Sequence, residues 1–209
     1  MRKVLAMVFM TIDGVAEFPL YDTPSGPGPE EDEDPMWKPR IESFDTLILG
    51  RVAYEKWYGF WPARRKQPDC NEWERAFSLF ADRAEKLVVS RTLRSADWTN
   101  SRIVSGDIGD EVARIKALPG KDIALGGGPR ILQAFLDRGL VDELLIAMFP
   151  SLLGRGKPLF HVVDDPDNPG DFVPPGAPGR RDFTLVEAKP LKDGTVFLHY
   201  RQAPTRTSG

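Results

Sequence analysis

The chain moves repeatedly from unbroken apolar runs to stretches whose apolar positions recur at helical spacing. Residues 4–10 form a run without turn residues, the pattern of a strand buried on both faces, and Asp13-Gly14 closes it in a turn. A short helix is predicted over 36–44, then a strand over 46–49 that meets Gly50 and Arg51 where another helix opens. Trp57, Tyr58, Phe60, Trp61 and Trp73 read as an aromatic-rich connection around Pro62 and Pro68, explained better by packing than by a stacking wall for a ligand. A helix over 71–83 turns Trp73, Phe77 and Phe80 inward. Strands follow over 86–90 and 102–105, and Asp107 or Asp110 caps a helix through Lys116 with Ile108, Val112 and Ile115 on one face.

The pattern centres on Ile123-Ala124-Leu125-Gly126-Gly127-Gly128-Pro129-Arg130-Ile131-Leu132. An apolar strand meets three glycines, a proline at the first helical position, and a helix with Ile131, Leu132, Phe135 and Leu136 on one side. Such a turn lets a ligand approach the backbone closely and aims helix N–H groups at an anion, a dinucleotide pyrophosphate being the obvious guest. A tight turn without a ligand is the other reading, since the spacing is not that of the G-x-G-x-x-G fingerprint. A strand over 141–149 comes next, then strands over 182–188 and 195–201 joined across Lys192-Asp193-Gly194, which is hairpin chemistry. The whole predicts an α/β domain over residues 1–202: a mainly parallel sheet with helices on both faces and a C-terminal antiparallel hairpin. Residues 17–35, with five prolines and an acidic run from Glu30 to Asp34, and residues 161–181 read as loop insertions; 203–209 reads as a frayed tail.

Composition narrows the chemistry. In 209 residues the formal net charge is -3, which argues against nucleic acid as the main partner. A single cysteine, Cys70, excludes an internal disulfide and fits a reducing, cytoplasmic setting. His161 and His199 are the only histidines, so no zinc site of the usual kinds is expected, and no G-x-S-x-G elbow is present. The sequence has no transmembrane segment, and the basic-then-apolar start lacks a small-residue cleavage site, which reads as a strand rather than a signal peptide. The cluster Gly154-x-Gly156-Lys157 lacks the spacing of a P-loop and runs into a proline. Asp13 is a candidate site residue because it ends a central strand, where ligands bind in open sheets; a plain Asp-Gly turn is the alternative.

Several stretches in order resemble the dihydrofolate-reductase-like superfamily, and within it the RibD C-terminal group, the reductase domain of bacterial riboflavin synthesis and its stand-alone relatives. They are Thr11-Ile12-Asp13-Gly14, Asp45-Thr46-Leu47-Ile48-Leu49-Gly50-Arg51-x-x-Tyr54-Glu55, Val88-Val89-Ser90-Arg91, Leu125-Gly126-Gly127-Gly128, Gly139-Leu140-Val141-Asp142-Glu143-Leu144 and Pro150-x-x-Leu153-Gly154-x-Gly156-x-Pro158-Leu159-Phe160. The resemblance implies the three-layer fold of that superfamily and an NADPH-dependent reductase acting on a small pyrimidine- or pteridine-like compound. It places Gly126, Gly127 and Gly128 at the pyrophosphate and nicotinamide, Arg51 near the adenosine 2′-phosphate, and Ser90 and Arg91 at the adenine ribose, with Gly50 and Arg130 also among the cofactor-binding residues. Thr11 and Asp13 are then substrate-side residues, with Asp13 or Glu42 as the acid and Asp34 as a further candidate. Relatives often pair through the C-terminal end, so a homodimer is expected. Ala53 stands where the family commonly has a threonine. A nucleotide-binding protein of the same fold without turnover is the alternative reading.

Overall fold

The computed structural model describes residues 1–16, 37–160 and 181–203. One eight-stranded sheet organises them, in the order β4-β3-β2-β5-β1-β6-β8-β7. At its centre β1 (Val4–Thr11) pairs in parallel with β5 (Asp122–Gly126) and β6 (Glu143–Phe149), which explains its unbroken apolar run: both of its faces are covered. β2 (Phe44–Gly50) pairs with β5 on its other side and with β3 (Glu85–Val89), and β4 (Ser101–Val104) completes that parallel wing. The antiparallel hairpin of β7 (Phe183–Pro190) and β8 (Val196–Gln202) adds to β6. The expected loop at 17–35, the loop at 161–181 except Arg181, and the tail at 203–209 except Ala203 lie outside the described residues.

Helices cover both faces. On one face, α1 (Trp37–Glu42), α2 (Arg51–Arg64) and α3 (Glu72–Arg83) bury Ile41, Tyr54, Trp61, Trp73, Phe77 and Phe80 against Leu47, Leu49, Ala124 and Leu145. On the other, α4 (Ile108–Ala117) and α5 (Pro129–Asp137) bury Val112, Ile115, Leu132 and Phe135 against Val4, Ile48 and Ile123. α3 opens with a capping box in which Asn71 and Glu74 exchange hydrogen bonds, and Asp107 caps α4 through Gly109 N and Asp110 N.

Two expectations are corrected. Trp57, Tyr58, Phe60 and Trp61 are not a connection: α2 runs through all four and on to Arg64. Pro62 sits two residues before the end of α2, where one missing N–H bond is tolerated although proline normally stops a helix. β2 also starts at Phe44, earlier than 46, because Phe44 packs in the core beside Phe80 and pairs with Asp122.

Candidate functional site

The carboxyl ends of β2 and β5 lie side by side, with Leu49 opposite Gly126. Both strands run directly into helices whose N-caps are glycines, Gly50 for α2 and Gly128 for α5, and neither helix start receives a side-chain cap. The N–H groups of two first turns are therefore left to another acceptor, whereas α3 and α4 satisfy theirs with Asn71 and Asp107. The two turns pack on one another. A methyl on Gly50 would stand 3.6 Å from Ile131, and one on Gly127 would stand 3.1 Å from Ile131 and 3.3 Å from Ala53.

The three consecutive glycines have three different reasons to be glycine. A methyl on Gly126 would come within 2.7 Å of the Trp57 ring, so α2 closes down on it. Gly127 has φ +129°, a conformation that side chains avoid. Gly128 has φ −83° and nothing within 4 Å of where a methyl would be. The fold itself does not require glycine there. The space above it, at a doubly positive pair of helix ends, suits an anion held by backbone N–H groups.

Cations and hydroxyls ring this cradle. Arg51, in the first turn of α2, is half-exposed and paired with Glu55. Arg91 and Arg130 are exposed and carry no ion pair among the described residues. Gly50 sits opposite Val89, which brings the turn after β3 next to Arg51. Ser90 is buried there, and its hydroxyl accepts the N–H groups of Thr92 at 3.1 Å and Leu93 at 2.9 Å, so it braces the turn that carries Arg91. Among the described residues no group of His, Cys, Asp and Glu could hold a metal ion.

The proposed acids do not converge on this place. Asp13 follows the end of β1, beside β5, but its carboxylate is already engaged. Thr11 Oγ1 donates to one oxygen at 2.5 Å, while Leu153 N and Gly154 N donate to the other at 3.1 and 2.7 Å. The Thr11 hydroxyl and then the Gly154 N–H hold its pKa below the ordinary carboxylate value. Thr11 is buried, with its hydroxyl turned to Asp13 and Val15. Glu42 ends α1 just before β2, at the amino ends of the strands and away from the cradle at their carboxyl ends, where Lys121, just before β5, donates to its carbonyl. Asp34 lies outside the described residues.

An apolar floor was missed because its members come from separate elements. Leu5, Met7, Phe9 and Thr11 alternate onto one face of β1, beside Phe149 of β6, and of these only Phe9 is not fully buried. Phe9 and Phe149 stack with centroids 6.3 Å apart, and half-buried Trp57 leans on Gly126. The strand itself was legible in the unbroken apolar run of β1; that Trp57 stands over the glycine turn was not.

A family model described as the RibD C-terminal domain matches residues 2–196. The chain belongs to the RibD C-terminal domain family. It is 31% identical over 204 residues to the uncharacterized protein YyaP of Bacillus subtilis, covering 95% of this chain and 94% of that one. Among solved structures it is similar to a putative riboflavin biosynthesis protein from Shewanella sp. PV-4, with a TM-score of 0.69 at 20% identity over 97% of this chain and 99% of that one. A pyrimidine reductase-like protein from Corynebacterium diphtheriae gives 0.55 at 17% identity, over 97% and 92%. The RibD C-terminal fold is thus the frame in which the glycine cradle and the aromatic floor sit, and among its described residues no helix is long and apolar enough to cross a membrane.

Proposed function

We propose that this chain is an NADPH-dependent reductase of a small, flat, conjugated pyrimidine- or pteridine-like compound with a C=N or C=O bond. The observation that carries the reading is the pair of uncapped helix starts at Gly50 and Gly128, packed together beneath open space at Gly128. A pyrophosphate supplies the acceptors that the first turns of α2 and α5 lack, with Arg130 beside it at the start of α5, and Arg51 and Arg91 supply the charge for a 2′-phosphate. When bound, the cofactor brings a transferable hydride. The chain's own part is to hold it by Gly126, Gly127 and Gly128, to orient a flat ring on Phe9, Phe149 and Trp57, and to keep water from that floor. A cytoplasmic setting and a homodimer belong to the same proposal.

A second reading, nucleotide binding without turnover, is favoured by one observation: the described residues bring no free carboxyl group to the cradle. Two measurements separate the outcomes. Gly128→Ala is compatible with the backbone and the space, so its unliganded stability should stay within about 1 kcal/mol of wild type. The NADPH-induced rise in melting temperature, which in the parent reflects about 2.7 kcal/mol of stabilisation at a hundredfold excess over Kd, should largely vanish. A mutant with an undiminished shift would place the nucleotide elsewhere. NADPH oxidation against a panel of pyrimidines and pteridines then distinguishes a reductase from a binder.

A further inference from the structure

The cation expected to choose between the two nicotinamide cofactors is not free. Arg51 Nη1 lies 3.1 and 2.9 Å from the two carboxylate oxygens of Glu55, one turn further along α2. The Arg51 and Glu55 side chains are 45% and 46% exposed, so water screens the pair and it adds little to stability. Its position is what gives it weight. Arg51 is the first residue after the Gly50 N-cap, beside the turn that carries Arg91, at the mouth of the cradle. Any dianion that recruits this guanidinium must displace a carboxylate from it or accept that carboxylate as a close neighbour of like charge.

We propose that Glu55 sets the cofactor preference of this protein, by competing with the 2′-phosphate of NADPH for Arg51. The proposal rests on the reductase reading, since it concerns the same cradle. The carboxylate acts in opposite senses on the two nucleotides. Against NADPH it occupies Arg51 and repels the phosphate. Toward NADH it is an acceptor for the ribose 2′-hydroxyl, the role a carboxylate takes in many dinucleotide sites. Glu55 therefore narrows a preference for NADPH that Arg51 and Arg91 would otherwise make wide. It is a specificity-determining residue that works through Arg51, and Glu55→Gln removes its charge while keeping its length and helix propensity.

The test is a binding titration of NADPH and of NADH, followed by dihydronicotinamide fluorescence, on wild type, Glu55→Gln, Arg51→Ala and the double variant. Glu55→Gln should tighten NADPH by about three- to tenfold at low ionic strength, leave NADH unchanged or weaker, and lose most of its effect in 0.5 M salt, as expected for exposed charges. In the Arg51→Ala background the same substitution should leave the NADPH to NADH ratio within about twofold. A ratio that stays fixed or falls in Glu55→Gln, while its unliganded melting temperature shifts, would mean that the pair only supports the helix, and would overturn the proposal. A gain that survives without Arg51 would overturn it too. Wild type that binds neither nucleotide would remove the reductase reading itself, an outcome distinct from a bound pair of cofactors with an unmoved ratio.

Discussion

Glu143 shows how much one residue can carry away from the site. It opens β6 with its side chain 4% exposed, and its carboxylate receives Lys3 Nζ at 2.9 Å, Arg201 Nε at 2.9 Å and His199 Nε2 at 2.8 Å. Arg40 Nη2 approaches the other ring nitrogen of His199 at 3.2 Å, and a guanidinium only donates, so Nδ1 accepts and Nε2 carries the proton given to Glu143. Burial alone would raise the Glu143 pKa, but the bonds from Lys3, Arg201 and His199 outweigh it and hold the value down at about 2. With a depressed folded-state pKa and an ordinary value near 4.5, the group adds stability above pH ~4.5 that is lost as pH falls toward 2. The size is about 3.5 kcal/mol at ~1.4 kcal/mol per unit. Urea titrations from pH 6 to pH 2.5 should show that slope, and Glu143→Gln should flatten it. At neutral pH the variant should lose about 2–3 kcal/mol, less than a fully buried pair costs to break because Lys3 and Arg201 keep contact with water. The glycines show the same resolution by residue. Gly127→Ala would disturb the fold and any bound nucleotide together, because of its φ and of Ile131 and Ala53, whereas Gly128→Ala addresses the ligand alone.

At the scale of elements, the turn after β1 and the segment after β6 are laced into one rim. Ile12 N bonds Ser151 O at 3.0 Å, Ala16 N bonds Lys157 O at 2.9 Å, Leu159 N bonds Gly14 O at 2.7 Å, and Val15 bridges Pro158. Asp13 closes the lacing by taking two backbone N–H groups that have no strand partner. Its expected effect is local. Asp13→Ala should raise the amide exchange of Leu153 and Gly154 well above that of the strands, while Asp13→Asn, whose amide oxygen still accepts, should keep most of the protection. NADPH binding should persist in both, since the cradle belongs to α2 and α5. Loss of NADPH binding in Asp13→Asn, with the rim still protected, would return Asp13 to the ligand. The sequence marked Asp13 as a residue ending a central strand, but its partners stand 140 and 141 positions away, beyond the reach of any local pattern.

For the whole molecule, the sheet ends on a strand that the described residues leave uncovered. Thr184, Leu185, Val186, Glu187 and Ala188 of β7 are all exposed, Leu185 to 50% and Val186 to 45%. Apolar side chains on an outermost strand favour a partner, and a second copy is the expected one. The bulge between Leu185 and Glu187 breaks the regular ladder, so packing of apolar faces is expected rather than simple strand addition. Light scattering at micromolar concentration should give twice the chain mass, and Leu185→Asp with Val186→Asp should return it to one. The order of strands and helices, the closing hairpin and the glycine turn were all legible in the sequence, because strand and helix periods, proline and glycine act through near neighbours. The length of α2 was not, because Pro62 carries a stop signal that position near a helix end cancels. Nor was the separation of Glu42 from Asp13, the burial of Glu143 among cations, the Trp57 ring over Gly126, or the pairing of two uncapped helix starts. Each of these depends on which strand lies beside which, and β5 enters between β2 and β1 only when the sheet assembles. Sequence determined the elements and the turn chemistry through local sterics and hydrophobic period. Tertiary structure alone decided which carboxylates are consumed by hydrogen bonds and which helix ends stay open, because those partners are joined by packing and not by the chain.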